Sequence, residues 1–398
     1  MNRTPANARS AAKRGEGRVA TAAAFVALCA VIGVQMPFFP LFLTARGLGP
    51  EAVGIAIAMP MAIRLFAMPL AGILSDKSGS PRAVLAILGL ASAAAFSLVG
   101  LVNGTTSILL AVGLAAVVWS PAYTLLDSYA VQLAKRRIVD YGRSRLWGSA
   151  SFVAINLGVG YLLNFASSGA VIWLIAAPCL FFALATHFLP PLAHPEHEGR
   201  LPVAHPPKML LLGVAAAALV QASHALLYGF SSLQWSAKGL STGVIGFLWS
   251  LGTIAEIVLF FAGTALVRRI PALRLIALGG FAATLRFGVF ALDPPATSIA
   301  LLQLLHAFSF GATHLGLMTL IADHVPAHQA GRAQSYASAV LGFVMAAATV
   351  AAGPLYVRYG AAAYGWFAAL AAIGALLTLF GRAQPHKAGV GGEISAPL

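Results

Sequence analysis

The sequence predicts an all-α membrane protein of twelve transmembrane helices, arranged as two six-helix pseudo-repeats. Three observations carry that prediction. The 398 residues are 59% hydrophobic and 9% charged, whereas soluble domains carry about 25% charged residues. Apolar runs of about 20 residues, the length that crosses a hydrocarbon core, recur along the whole chain between short segments of Gly, Pro and charge. Lysine and arginine then collect in alternate connections, as in polytopic membrane proteins. A mean hydropathy of +0.85 agrees.

Taken in order, Gly, Pro and charge punctuation places helices over 19–44, 51–74, 83–102, 107–134, 146–164 and 169–190. A second set covers 209–236, 241–266, 272–291, 296–322, 333–357 and 361–381. The Pro- and His-rich segment 191–208, PLAHPEHEGRLPVAHPPK, is the longest connection and divides the chain six plus six. This gives an N-terminal tail over 1–18, a first half over 19–190, the central loop over 191–208, a second half over 209–381 and a C-terminal tail over 382–398. The first run follows Arg3, Arg9, Lys13, Arg14 and Arg18 and is too long for a cleaved signal, so it is expected to remain as a helix.

Charge placement sets the orientation. With the N-terminus inside, the inner side collects twenty Lys and Arg, including Lys135, Arg136, Arg137, Arg200, Arg382 and Lys387. The outer side holds Arg46, Lys238 and Arg358, and Arg64 and Arg286 lie within helices. Both termini are expected in the cytoplasm, and the chain in a bacterial-type inner membrane with lipid as its surroundings. The net charge of +14 belongs to loops, so nucleic acid is not an expected partner. Cys29 and Cys179 both fall in apolar runs and read as small core residues.

The halves echo each other. Leu48 to Gly54, LGPEAVG, resembles Leu240 to Gly246, LSTGVIG, at an offset of 192 that also maps Arg64 onto Glu256. Gly142-Arg143 resembles Gly331-Arg332 at an offset of 189.

Charge inside the apolar runs points to function. A charge near a bilayer centre costs roughly 2.5 to 3.5 kcal/mol on insertion scales, so it needs a partner, a wet cavity or a task. Asp127 to Ser149, DSYAVQLAKRRIVDYGRSRLWGS, sets an acid and Arg145 on either side of a basic turn. In an antiparallel hairpin the two are expected at similar depth, neutralising each other and open to a ligand. Arg64 sits mid-span without an acid one turn away, and its planar fork suits a carboxylate. Glu256 and Arg286 are expected either to pair between helices or to titrate, with Glu256 and then Asp127 as proton carriers. His224, His306 and His314 lie on apolar helices, where a histidine is usually a satisfied hydrogen bonder. Gln35, Asn156 and Gln221 are cavity candidates, and Trp147, Tyr228, Trp235 and Trp249 could stack on an aromatic ligand. His194, His197 and His205 in the central loop are expected to be solvated rather than metal-bound.

The loop after the second span reads Gly72-Ile-Leu-Ser-Asp76-Lys77-Ser-Gly79-Ser-Pro-Arg82, similar to the G-x-x-x-D-[RK]-x-G-x-x-R signature of the major facilitator superfamily. Its five matching residues, Gly72, Asp76, Lys77, Gly79 and Arg82, would form the conformational-switch loop of that fold. The segments YGRSRLWGSASF from Tyr141, QASHALLYGF from Gln221, VIGFLWSLGTIAE from Val244 and LLHAFSFGATHL from Leu304 resemble the phenylpropionate permease family, a branch related to lactose permease and the nucleoside:proton symporters. Lactose permease places a fourth-helix acid eighteen residues before a sugar-contacting arginine, a spacing that Asp127 and Arg145 keep. Its ninth-helix arginine precedes a tenth-helix histidine by twenty residues, as Arg286 precedes His306. This chain departs from it at Gln303 and Ser309, where that permease has a lysine and a glutamate, and Glu256 falls one turn from its eighth-helix acid.

The resemblance implies a secondary transporter working by alternating access, with a small-molecule substrate and a proton as partners. An organic anion such as an aromatic monocarboxylate would meet Arg64, Asp127, Arg145, Gln35 and His224. A proton would involve Glu256, Arg286, His306 and Asp127. The alternative cargo on the same fold is a sugar, a nucleoside or an exported drug. No cofactor or metal is expected, and a twelve-helix unit is expected to work as a monomer. The chain lacks a Walker A loop, H-E-x-x-H and G-x-S-x-G, which argues against an enzyme.

Overall fold

The computed structural model describes residues 5–192 and 207–381. All regular structure among them is helical and forms twelve rods. In the first half these are α1 (Pro5–Ala45), α2 (Pro50–Ser78), α3 (Pro81–Leu101), α4 (Thr105–Lys135), α5 (Tyr141–Leu162) and α6 (Ala170–His187). In the second they are α7 (Lys208–Ala237), α8 (Thr242–Phe261, continued by Gly263–Arg269), α9 (Ala272–Phe290), α10 (Ala296–His324), α11 (Ala327–Tyr359) and α12 (Tyr364–Leu377). By length and hydropathy, nine stretches among the described residues qualify as membrane spans, the last of which, Gln329–Phe380, holds two rods.

Several rods depart from the helices expected from sequence, α8 among them, which turns at Ala262. α1 begins at Pro5 instead of 19, because residues 5–18 are rich in Ala, Arg and Lys, all good helix formers. α7 is broken at Ser223 and His224 into Lys208–Ala222 and Ala225–Ala237. α10 contains a π-helical turn over Ala307–Ala312, a wide turn that is frequent at functional sites.

The chain divides into two compact units. Of the described residues, unit 1 takes 5–47 and 63–192 and unit 2 takes 48–62 and 207–381, so the first part of α2 belongs to unit 2. In unit 1, α1 packs on α5 and α6, and α3 on α4 and α6. Phe25, Leu28, Cys29, Leu126, Tyr129 and Phe182 form its core. The approach of α3 to α6 requires Gly89, where a Cβ would lie 2.9 Å from the Ala183 backbone. Arg46, just past α1, donates to the Gly100 carbonyl at 2.9 Å, to the Val102 carbonyl and to Asn103 Oδ1 at 2.9 Å. It thereby satisfies carbonyls that the end of α3 leaves without helical partners.

In unit 2, α9 packs on α10 and α12, and α7 on α11 and α12. Leu210, Ala217, Ile276, Leu317 and Leu320 share one core cluster. A Cβ on Gly316 of α10 would lie 2.7 Å from the Ala272 carbonyl oxygen, so only glycine allows that approach to α9. The turn after α9 is pinned by Lys238, whose Nζ donates to Asp293 Oδ1 at 2.9 Å and to the Asp293 and Pro294 carbonyls. Gln234 Nε2 adds a bond to the same carboxylate at 2.7 Å.

Candidate functional site

Among the described residues, two polar clusters interrupt the apolar packing, one in each unit. In unit 1, α4 and α5 run antiparallel after the basic turn. Tyr141 donates its hydroxyl hydrogen to Asp127 Oδ1 at 2.7 Å, and Arg145 Nη2 donates to the Tyr123 hydroxyl. Both pairs obey one register, in which Asp127 lies level with Tyr141 and Arg145 level with Tyr123. Asp127 and Arg145 are therefore about one helical turn apart, on the order of 6 Å along the axis. The direct ion pair expected from sequence does not form. Each charge is met by the tyrosine one turn from the other charge.

Arg145 also points Nη1 at Cys29 Sγ, 3.8 Å away, and its guanidinium lies 5.7 Å from the Phe25 ring and 5.2 Å from the Tyr123 ring. Arg64, on α2, approaches the same Tyr123 ring at 5.9 Å and donates to Thr124 Oγ1 at 3.1 Å. Phe25, Arg145, Tyr123 and Arg64 thus form a ladder of alternating rings and cations. Phe25 at its inner end is buried, Arg145 and Tyr123 are half-buried, and Arg64 at the outer end is exposed. Sequence reasoning missed Tyr123. Its signal was its place one turn before Asp127 on the same helix, where its side chain shares the face of the acid.

In unit 2 the centre is Arg286 of α9, which is 1% exposed. Its Nη2 donates to Gln303 Oε1, and its Nη1 lies 3.1 Å from His306 Nδ1 and 3.4 Å from Ser309 Oγ. A guanidinium only donates, so His306 Nδ1 accepts and the ring proton sits on Nε2. That nitrogen faces Glu256 Oε2 of α8 at 3.7 Å, within ion-pair reach but longer than a hydrogen bond. The Glu256–Arg286 pair expected from sequence is therefore mediated by His306. The same logic fixes His224. Its Nδ1 lies 3.2 Å from the Val220 and Gln221 carbonyls and donates, so its Nε2 accepts from the Ser309 hydroxyl at 3.0 Å. His224 is fully buried with both nitrogens engaged, a support for Ser309 that offers no free edge to a ligand.

Gln303 and Ser309, the two departures from lactose permease, are both partners of Arg286. Gln303 further donates to the Leu248 carbonyl at 2.8 Å, which ties α10 to α8. Gln221 donates to the Phe310 carbonyl inside the π turn at 3.3 Å. His306, Phe310 and His314 stack along α10 with centroids 5.3 and 6.5 Å apart.

The remaining candidates lie apart from these clusters or support the fold. Gln35 is half-buried on α1, and Asn156 is buried with its amide on the Phe152 carbonyl at 2.7 Å. Tyr228 stacks on Trp249, Trp235 is buried, and Trp147 is 61% exposed on the apolar surface. In the glycine-rich loop, Gly79 adopts φ +68°, a left-handed turn that favours glycine, and Lys77 is exposed. Arg82 donates to the Leu189 carbonyl at 3.1 Å, capping the end of α6. The surroundings of Gly72 and the side chain of Asp76, and residues Arg3, His194, His197, Arg200, His205, Arg382 and Lys387, lie outside the described residues.

Comparison with known proteins adds to this geometry. The family model described as "MFS_1 like family" matches residues 22–368. The chain is 30% identical over 356 residues, 86% of its own length and 92% of the relative's, to the "Probable 3-phenylpropionic acid transporter" of Escherichia coli (strain K12). It is 25% identical over 296 residues, 70% of its length and 72% of the relative's, to the maltose permease of Geobacillus stearothermophilus. Its fold matches a mutant of the nucleoside transporter NupG with a TM-score of 0.79 at 16% identity, covering 92% of this chain and 99% of that one. A bacterial homolog of the human lysosomal transporter Spinster matches with a TM-score of 0.70 at 13% identity, covering 91% and 95%. These relatives and fold neighbours are transporters, not enzymes, and the chain belongs to the MFS_1 like family of the major facilitator superfamily.

Proposed function

We propose that this membrane transporter takes up a small organic anion, of the aromatic monocarboxylate class, together with a proton. The observation that carries the reading is the convergence of Arg64 and Arg145 on one ring in unit 1. The cluster holds two guanidiniums and one carboxylate, Asp127, which Tyr141 already engages. Such a cluster favours an anionic guest, because a carboxylate takes charge-assisted, fork-shaped hydrogen bonds from arginine. The 3-phenylpropionic acid named for the E. coli relative is a carboxylate of this class.

The proton is assigned to the Glu256, His306 and Arg286 chain of unit 2. While Glu256 is ionised, its charge attracts the Nε2–H of His306 across 3.7 Å, and the other ring nitrogen stays on Arg286. Protonation of Glu256 removes that attraction and frees His306 to reorient. A proton gain at one carboxylate thus becomes a change in what Arg286 binds on α10. No nucleotide is required.

The test is uptake of labelled 3-phenylpropionate into proteoliposomes under an inward proton gradient. Wild type should accumulate the label, and Arg64→Gln should raise KM by about 10- to 100-fold, the weight of a charge-assisted hydrogen bond. Uptake indifferent both to the gradient and to Arg64→Gln removes the reading. Competition by maltose or a nucleoside in place of 3-phenylpropionate would move the cargo to a neutral sugar or nucleoside.

A further inference from the structure

We propose that unit 2 carries a binding site for one anionic phospholipid, with an acyl chain in the groove between α11 and α12 and the phosphate on Arg358. The site is separate from the cargo and does not depend on what that cargo is. Of the three cations expected outside, two are engaged by the protein: Arg46 by the end of α3 and Lys238 by the turn after α9. The third, Arg358 in the last turn of α11, is exposed and, among the described residues, makes no ion pair and donates no hydrogen bond. Its guanidinium lies 5.4 Å from the Tyr359 ring, which lies 6.3 Å from the Trp366 ring of α12. Tyrosine and tryptophan gather at the level of lipid headgroups, where an amphipathic ring meets both water and hydrocarbon. A guanidinium fork at that level matches a phosphate.

Beside this corner α11 and α12, which both pack on α7, leave a groove of about 340 Å³ between them. Ala347, Ala348, Ala351 and Leu355 of α11 and Trp366 and Leu370 of α12 line it. Its α11 wall, from Val344 to Leu355, rises about 17 Å, roughly half the thickness of a hydrocarbon core, and stops about one turn short of Arg358. The groove therefore spans one leaflet and has a cation at its headgroup end. Spread over that length, its volume suits a hydrocarbon chain and not a helix, which is about 10 Å across with its side chains. A zwitterionic headgroup brings its own cation beside the phosphate, so it gains less from Arg358 than an anionic one. One basic residue at a negatively charged lipid surface contributes enough for about a fivefold preference. The chain gains close packing only, because bulk lipid tails are as apolar as the groove. Selectivity thus lies with Arg358 and seating with the groove.

The experiment titrates the full-length protein in detergent with phosphatidylglycerol or phosphatidylcholine of identical chains, brominated so that they quench a tryptophan they touch. Trp366 emission is read as the difference between each protein and its own Trp366→Phe version. In wild type both lipids should quench, phosphatidylglycerol at about fivefold lower concentration. Arg358→Gln should bring the two lipids to within about twofold of each other, and Arg358→Lys should keep the preference. Ala351→Phe fills the groove. Its effect falls on both chains alike, so the ratio should stay and each affinity should drop by at least about twofold. Arg358 and Ala351 are both exposed, so melting should stay near wild type, and Ala347→Phe serves as a second filling variant if Ala351→Phe fails to fold. Equal affinities for the two lipids in wild type, a preference that survives Arg358→Gln, or affinities untouched by filling the groove would each overturn the site. So would a Trp366 that neither lipid quenches, the result expected if a second copy of the chain covered the groove.

Discussion

Replacing Gln303 by leucine tests the central strut of unit 2. The two side chains have similar volume, so the cavity contribution is small and the lost hydrogen bonds dominate. Gln303 accepts from the Arg286 guanidinium and donates to the Leu248 carbonyl. A hydrogen bond to a charged group is worth about 1.5–3 kcal/mol, and a neutral one about 0.5–1.5 kcal/mol. Measured side-chain hydrogen bonds between membrane helices average only about 0.6 kcal/mol, because the unfolded chain in the membrane also finds partners. Weighing these, and noting that Arg286 is 1% exposed and cannot turn to water, we expect Gln303→Leu to destabilise unit 2 by about 2 kcal/mol. The assay is reversible unfolding in mixed micelles, with Gln303→Glu beside it. The glutamate returns an acceptor to Arg286 as an ion pair and should recover part of the loss. A Gln303→Leu protein as stable as wild type, within about 0.5 kcal/mol, would show that Arg286 is not held through Gln303 and would undo the network argument.

Other consequences can be checked on the same material. Gly89→Val should cost about 1–3 kcal/mol by forcing α3 off the Ala183 backbone, read as a lowered melting temperature. Gly158→Ala, where an added Cβ meets nothing within 4 Å, should be neutral or stabilising by up to about 1 kcal/mol. At Asp293, burial pushes the carboxyl upward, but the hydrogen bonds from Lys238 and Gln234 and the Lys238 charge outweigh it, so the group sits below the usual carboxylate range. A depressed folded value means the unfolded chain binds more protons as pH falls. The stabilisation is therefore present above about pH 4 and is lost below it. Asp293→Asn should flatten that acid limb of melting temperature against pH, by a small amount because the carboxylate is 48% exposed.

Much of the architecture was legible because lipid imposes it. Any chain that must bury its backbone polar groups in hydrocarbon writes its spans as apolar runs, and the observed rods follow those runs closely. The breaks were hidden because composition does not encode them. AFSFGA over Ala307–Ala312 reads like any apolar helical stretch, and its wide turn depends on neighbours such as Gln221. The unit 2 partners were half visible. The Arg286 and His306 spacing gave the pair, whereas Gln303 and Ser309 stood out only as departures and proved to be its other ligands. In unit 1 the bond expected between Asp127 and Arg145 is replaced by one from each to a tyrosine. Asp127 and Arg145 were matched by counting from the turn, and a register shift of one helical turn, invisible to counting, delivered each to a tyrosine instead.

The most direct measurement of the central claim is proton movement on adding 3-phenylpropionate to weakly buffered suspensions of proteoliposomes. Symport predicts that the external medium turns alkaline beyond what protein-free liposomes show, and that Glu256→Gln abolishes this excess while still exchanging labelled for unlabelled substrate. Substrate entry with no excess alkalinisation in wild type, or an excess that survives in Glu256→Gln, would contradict it.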